Sequence, residues 1–337
     1  MIEFPTEPIN NIEDALGDAE EATNEMEHGL EQLDSLARKK ALAESADMLT
    51  KAERSDDISV MDRITALDAS LAQRMVDLLK FVGDKKQVRY GYPSFPAVRW
   101  IDLRAAHVLR EGGFLGIYLD GTRNIDPQTL AILIHSGAEV SFNGLDHLNE
   151  AHSRVLKENS LHHKILLNGL KHCSQEEAAA LSGYEGVSLD GLTDVGELVI
   201  QALLESPGRK QSPLTRLSLQ GLRSLRSDIA QQFKTLRSDC FLFLDGLEEL
   251  SIESASELGK FKGSISLYGL KTISAGVLRA VSKKPEVIRF DELRQLDQET
   301  IGLIVDGILD KSLYFKNAVM KNAILDPREW GTFKAKP

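Results

Sequence analysis

The sequence predicts an α/β solenoid, with parallel β-strands on one wall and α-helices on the other, behind an α-helical N-terminal segment. Three observations predict it. A six-residue unit recurs as IYLDGT at 117–122, VSFNGL at 140–145, ILLNGL at 165–170, VSLDGL at 187–192, LSLQGL at 217–222, LFLDGL at 242–247 and ISLYGL at 265–270. Its glycine falls at 121, 144, 169, 191, 221, 246 and 269, and worn copies place Glu292 and Asn317 in the same slot. A near-constant period of about 20–29 residues marks a stacked array rather than a closed domain. Helix-start signals follow the unit: Asp126-Pro127, Ser174 to Glu177, Ser251, Ser274 and Asp297.

Within a unit such as VSLDGL, Val187 and Leu189 point inward along a short strand while Ser188 and Asp190 point outward. Gly191, preceded by Asp or Asn in most copies, is expected to supply a left-handed or otherwise special turn. Leu192 then folds back inward and a helix follows. One strand and one helix cannot bury their apolar sides alone, whereas stacked copies can.

The elements before the array follow from periodicity. Ile9, Ile12, Leu16, Ala19, Thr23, Met26, Leu30, Leu33 and Ala37 alternate three and four apart, a narrow apolar seam on a charged helix. After a polar stretch, Ser55-Asp56-Asp57 is expected to cap a second helix with the seam Val60, Ile64, Leu67, Leu71, Met75, Leu78 and Val82. Residues 1–82 thus form an acidic helical segment, closing either as a hairpin or as an intermolecular coiled coil. Residues 83–100, GDKKQVRYGYPSFPAVRW, break the helical period and are expected to be a junction. Its Tyr90, Tyr92, Phe95 and Trp100 are expected to form a lid over the first repeat. A worn leading copy, WIDLRAAHVL, opens the array over 101–320, and 321–337 is a cap or tail. The insert ESPGRKQSPLT at 205–215 accounts for the one long step and is expected to be an exposed loop.

Charge narrows the function classes. Residues 1–37 carry eleven of the 51 carboxylates and no Lys or Arg, which leaves 40 acidic residues against 40 basic ones. No basic stripe of the kind a phosphate backbone needs is present, so no nucleic acid is expected as a partner. No apolar run approaches a membrane span, and no basic-then-apolar leader opens the chain. The expected compartment is the cytoplasm, export by a route without a signal peptide being the alternative. Cys173 and Cys240 sit at different points of different repeats and read as apolar fillers.

The rows LSLQGLRSL, LFLDGLEEL and ISLYGLKTI resemble the leucine-rich repeat family, over about 101–320. Gly-Leu follows the strand where many members place an asparagine ladder two positions further on. The chain is most similar to a bacterial variety with Leu-x-Leu-Asp/Asn-Gly-Leu units of about 23 residues. The resemblance implies a leucine-rich-repeat solenoid that binds a macromolecule, usually a protein, on its strand wall. The reading is a non-catalytic protein–protein interaction module. The rivals are a secreted bacterial effector acting on a host protein and a self-assembling scaffold, a homo-oligomer held through residues 9–37 and 60–82.

The wall displays one outward residue between each apolar pair and one before each glycine. The first half is small and polar apart from Tyr118, whereas the C-terminal half concentrates Phe243, Tyr268, Arg289 and Tyr314, residue types favoured as interface anchors. These, with Asp245 and Asp291 as charged partners, are the candidate binding residues. Three positions past the glycine stand His147, His172 and Asp194, a candidate metal trio, since neighbouring strands lie about 4.8 Å apart. The same column continues as plain polar turn residues, so no metal or other cofactor is assigned. No phosphate loop, metalloprotease helix motif or nucleophile elbow is present, and no catalytic residue is assigned.

Overall fold

The computed structural model describes residues 9–55, 58–86, 91–135, 139–159, 163–205, 212–283, 285–290, 293, 296–309 and 313–315. From Gly116 onward the chain alternates short strands with helices. The strands are β3 (Gly116–Tyr118), β4 (Glu139–Ser141), β5 (Lys164–Leu166), β6 (Gly186–Ser188), β7 (Arg216–Ser218), β8 (Phe241–Phe243), β9 (Ser264–Ser266), β10 (Ile288–Phe290) and β11 (Leu313–Phe315). They form one nine-stranded sheet in sequence order, every pair parallel. The register is that of the repeat: Val140 pairs with Ile165, Ile165 with Val187, Val187 with Leu217, and Leu217 with Leu242. The helices between them are α4 (Pro127–Ile134), α5 (Glu150–Glu158), α6 (Gln175–Leu181), α7 (Glu197–Leu204), α8 (Ser227–Gln232), α9 (Ile252–Leu258), α10 (Ala275–Val281) and α11 (Gln298–Leu309), each against the next.

The core lies between the two walls. The inward strand residues Ile117, Val140, Ile165, Val187, Leu217, Leu242 and Ile265 are all buried, as are Leu145, Leu170, Leu192, Leu222, Leu247 and Leu270 after the glycines. The expected caps are in place: Asp126, Ser174, Ser251, Ser274 and Asp297 each accept a backbone N–H from the first helical turn. Ser174 and Glu177 form a reciprocal box, Ser174 N donating to Glu177 Oε2 at 2.6 Å.

The motif glycines act otherwise than expected. Among the described residues only Gly113, outside the motif, has a positive φ among glycines. The reason for glycine is the closeness of the rungs. A Cβ on Gly169 would lie 2.3 Å from both Asn143 O and Leu145 O; on Gly191, 2.3 Å from Asn168 O and 2.4 Å from Leu170 O. On Gly246 it would lie 1.8 Å from Gln220 O. Each turn rests on the backbone of the turn before it, and a side chain has no room.

The N-terminal region differs most from expectation. A single helix, α1 (Ile9–Ser55), runs through the polar stretch, because RKKALAESADMLTKAERS is rich in strong helix formers. Ala41, Ser45, Leu49 and Ala52 form its buried face, and Ser45 Oγ accepts from Thr65 N at 3.2 Å. Leu33 of the predicted seam is 64% exposed, and Leu36 beside it 63%. The second helix, α2 (Ala69–Lys86), starts after Asp68, whose Oδ1 accepts from Leu71 N at 2.8 Å, rather than at 55–57. Before it come a 3₁₀ turn (Ile58–Arg63) and a two-residue strand, β1 (Ala66–Leu67). The seam Val60, Ile64, Leu67, Leu71, Met75, Leu78 and Val82 is buried within the chain, whereas Phe81 on the same helix is 57% exposed.

The expected lid is a rung. Tyr118 N donates to Pro93 O at 3.0 Å and Phe95 N to Tyr118 O at 2.7 Å, with Ser94 bridged in parallel to Tyr118. Val98 N then donates to Phe95 O, the turn that Thr122 N makes to Leu119 O one rung later. Asp102 caps α3 (Leu103–Glu111) as Asp126 caps α4. Phe95 and Val98 are buried inward and Trp100, half-exposed, begins β2 (Trp100–Ile101), which pairs with β1. Met61, Ile64, Leu67 and Asp68 repeat the spacing of Phe95, Val98, Ile101 and Asp102, which makes 61–86 a half-rung that covers the end of the array. Tyr90 lies outside the described residues. At the 205–215 insert, residues 206–211 also lie outside them, but Ser212 and Leu214 are buried, so the end of the insert is packed rather than exposed.

Candidate functional site

The outward residues of the strand wall fall into clusters of different character. At the N-terminal end the ring of Tyr92 stacks on Tyr118 with centroids 6.1 Å apart, and the Tyr118 hydroxyl donates to Glu139 Oε1 at 2.6 Å. Burial, then the Glu139 carboxylate, hold that hydroxyl protonated well above the usual tyrosine range. Lys164 Nζ stands 4.0 Å from Glu139 Oε2. Tyr118 is therefore tied to its neighbours.

At the C-terminal end the wall carries a raft of stacked rings and guanidiniums. Phe241 and Phe243 lie 5.2 Å apart at 30°. Arg216 Cζ sits 4.6 Å from the centre of the Phe243 ring, and Arg289 Cζ sits 4.3 Å from that of Phe241. Arg289 crosses β9 to reach its ring. The crossing is open because β9 offers only Ser264 and Ser266 there, both buried. Phe243 and Arg289 were expected on this wall. Phe241 and Arg216 were not, though the strand's period of two carried the signal: Phe241 precedes Phe243 by two residues, and Arg216 precedes Ser218 by two.

The column before the glycines is a ladder between rungs. Asn168 Oδ1 accepts from Asp190 N at 2.9 Å and Ser188 Oγ at 2.7 Å; Asp190 Oδ1 accepts from Gln220 N at 2.9 Å and Ser218 Oγ at 2.6 Å. Asp245 Oδ1 likewise accepts from Tyr268 N at 3.0 Å and Ser266 Oγ at 2.5 Å. These side chains satisfy the backbone donors left outside the sheet at each turn, so Asp245 has a role in the stack. Tyr268 lines a cleft of about 280 Å³ with Arg223, Asp245, Glu248 and Lys271. Tyr314 pairs with Arg289 in the β10–β11 register, and Asp291 lies outside the described residues.

The fold is an α/β solenoid of stacked strand–helix rungs. No family model matches the sequence, and no curated protein matches it either. Among solved structures the chain is similar to one titled "Crystal structure of TLR13-ssRNA13 complex", with a TM-score of 0.40 and 14% identity. That similarity covers 69% of this chain and 35% of the other, so the chain spans about a third of the solved structure's length.

The metal trio is not brought together. His147 Nδ1 is 2.5 Å from Asp146 Oδ1, its own neighbour, and Asp194 Oδ1 turns back to accept from Val195 N. Among the described residues no three His, Cys, Asp or Glu side chains are placed to share a metal ion. No described helix is long and apolar enough to cross a membrane.

Burial pushes the thiols of Cys173 and Cys240 up to about 12. The folded chain keeps both thiol protons where the unfolded chain, ionising near pH 8.5, has lost them. Stability is thus fully present below about pH 8 and falls above it, with a slope approaching about 1.4 kcal/mol per pH unit for each thiol. Urea midpoints measured from pH 7 to 10 should show the fall, and a Cys173→Ala/Cys240→Ala variant should flatten it. A thiol reagent at pH 8 should leave buried Cys240 unlabelled until denaturant is added, while half-buried Cys173 reacts first.

Proposed function

We propose that the chain is a non-catalytic binding module that recognises a protein partner on the strand wall, with the Arg216–Phe243–Phe241–Arg289 raft as its centre. The observation that carries this reading is the raft itself. Phe243 and Arg289 stand at the slots where other rungs carry Ser141, Ser188, Ser218 and Ser266, and Arg216 and Phe241 stand two residues before that slot on their strands. Two rings and two guanidiniums concentrated on neighbouring rungs make an exception to that pattern, of the residue types that supply most interface energy. Partly exposed phenyl rings held by cation–π contacts are rigid, so little side-chain entropy is lost when a partner covers them.

Affinity capture from a bacterial lysate with the wild-type chain beside a Phe241→Ala/Phe243→Ala/Tyr268→Ala variant tests the reading. These side chains are outward and only part-buried, so the variant should stay folded, with a melting temperature close to wild type. Any wild-type partner should be lost or weakened at least tenfold, the cost of truncating one or two interface anchors at about 1.4 kcal/mol or more. Equal capture by both chains would move the binding surface off this part of the wall.

A further inference from the structure

Before the face that docks on the array, α1 carries a seven-residue pattern. Over 9–37 its apolar seam keeps a strict alternation of three and four, the period of a helix that packs along another helix. The sequence positions that flank this seam differ on its two sides. One side reads Glu13, Glu20, Glu27 and Asp34; the other reads Ala15, Ala22, Gly29 and Leu36. At the described end of the pattern, Leu33, Leu36 and Ala37 are exposed. Lys40, also exposed, stands at the next seam position, and the buried face starts only at Ala41.

Charge decides what kind of helix fits. Residues 9–37 hold nine Asp and Glu and no Lys or Arg; the first cations, Arg38, Lys39 and Lys40, come after them. Asp34 accepts from Trp100 Nε1 at 3.3 Å, a neutral donor that leaves the carboxylate charge in place. A second copy would bring nine more carboxylates to the pair. Antiparallel pairing would set the two acidic columns against each other, and parallel pairing would set each against alanine, glycine and leucine. A helix with lysine or arginine on both flanks of its own seam meets the acidic column with opposite charge in either direction.

We propose that the N-terminal half of α1 is a second docking surface, which pairs as a coiled coil with a basic amphipathic helix of a protein partner. It uses no residue of the strand wall.

The test is fluorescence anisotropy on the full chain at pH 7.5 with two labelled peptides of four heptads. Both carry leucine along the seam; one has lysine and the other glutamate on both flanks. The lysine peptide should bind at least about tenfold more tightly than the glutamate peptide. Leu16→Asn/Leu30→Asn keeps every charge and should weaken the lysine peptide about tenfold or more, because two seam leucines are lost. Glu13→Gln/Glu20→Gln/Glu27→Gln should weaken it about fivefold to tenfold. Asp14→Asn/Asp18→Asn/Glu21→Gln makes the same charge change away from the seam and should weaken it about twofold or less. All these positions precede Ala41, so melting temperatures should stay close to wild type. Failure of the lysine peptide to bind, or equal affinity for both peptides, would overturn the proposal. So would binding that survives loss of the seam leucines, or equal losses from the flanking and outer carboxylate variants, since either leaves only diffuse charge. Sedimentation velocity identifies the occupant: the full chain should run as a monomer. A dimer that Leu16→Asn/Leu30→Asn dissolves would put a second copy on the seam instead.

Discussion

Replacing Gly191 with alanine is expected to lower folding stability by about 4 kcal/mol, at the top of the range for single substitutions. The added Cβ would stand 2.3 Å from Asn168 O and 2.4 Å from Leu170 O. Both are backbone atoms of the preceding rung and cannot rotate away. Relief requires the rungs to part, and parting stretches the bonds that join them, including Asp190 N to Asn168 Oδ1 at 2.9 Å and Leu167 N to Ser188 O at 2.9 Å. Because each rung contacts only its neighbours, the loss spreads to the interfaces on both sides. The control is Gly302→Ala in α11, where a Cβ would meet nothing within 4 Å. There the change removes a helix-interior glycine and should stabilise by about 0.5–1 kcal/mol. Urea midpoints of the two variants should move in opposite directions. If both move little, close approach is not the reason for the glycine column.

Tyr184→Ala should cost about 3–5 kcal/mol, the usual range for emptying a large aromatic site. Tyr184 is among the largest fully buried side chains, and its hydroxyl donates to Leu156 O, in α5 one rung back, at 3.3 Å. It therefore fills space behind β6 and also ties that rung to its predecessor. Tyr184→Phe keeps the ring and leaves Leu156 O without this donor, so about 1 kcal/mol is expected. Thermal melts of the two variants separate ring from hydroxyl. Equal losses would mean the hydrogen bond, rather than the packing, holds the site.

How much of this was legible in the sequence depended on whether a residue's task is local. The caps at Asp126, Ser174, Ser251, Ser274 and Asp297 are decided within four residues, and all are where the sequence puts them. The inward leucines follow from the period alone. The glycines were recognised, but their reason was not: a left-handed φ is local and imaginable from sequence, whereas contact with a carbonyl 23 residues earlier exists only once rungs are stacked. The leading rung escaped notice because Phe95-Pro96-Ala97-Val98 replaces Leu-Asp-Gly-Leu. Its inward spacing survives in Phe95, Val98 and Ile101 while its letters do not. In the raft, Phe243 and Arg289 stood between apolar residues and were seen. Phe241 and Arg216 precede their strands' first inward residue, and their pairing needs the β7–β10 register to appear.

The most direct measurement is photo-crosslinking of the bound partner from three single sites. A photoreactive phenylalanine analogue is placed at Phe243 on the strand wall, and at Leu198 or Ile252 on the helix wall, where the side chains are 61% and 52% exposed. Crosslinks from position 243, with none from 198 or 252, are the result expected of a strand-wall binding module. Crosslinks from the helix positions with none from 243 would contradict it.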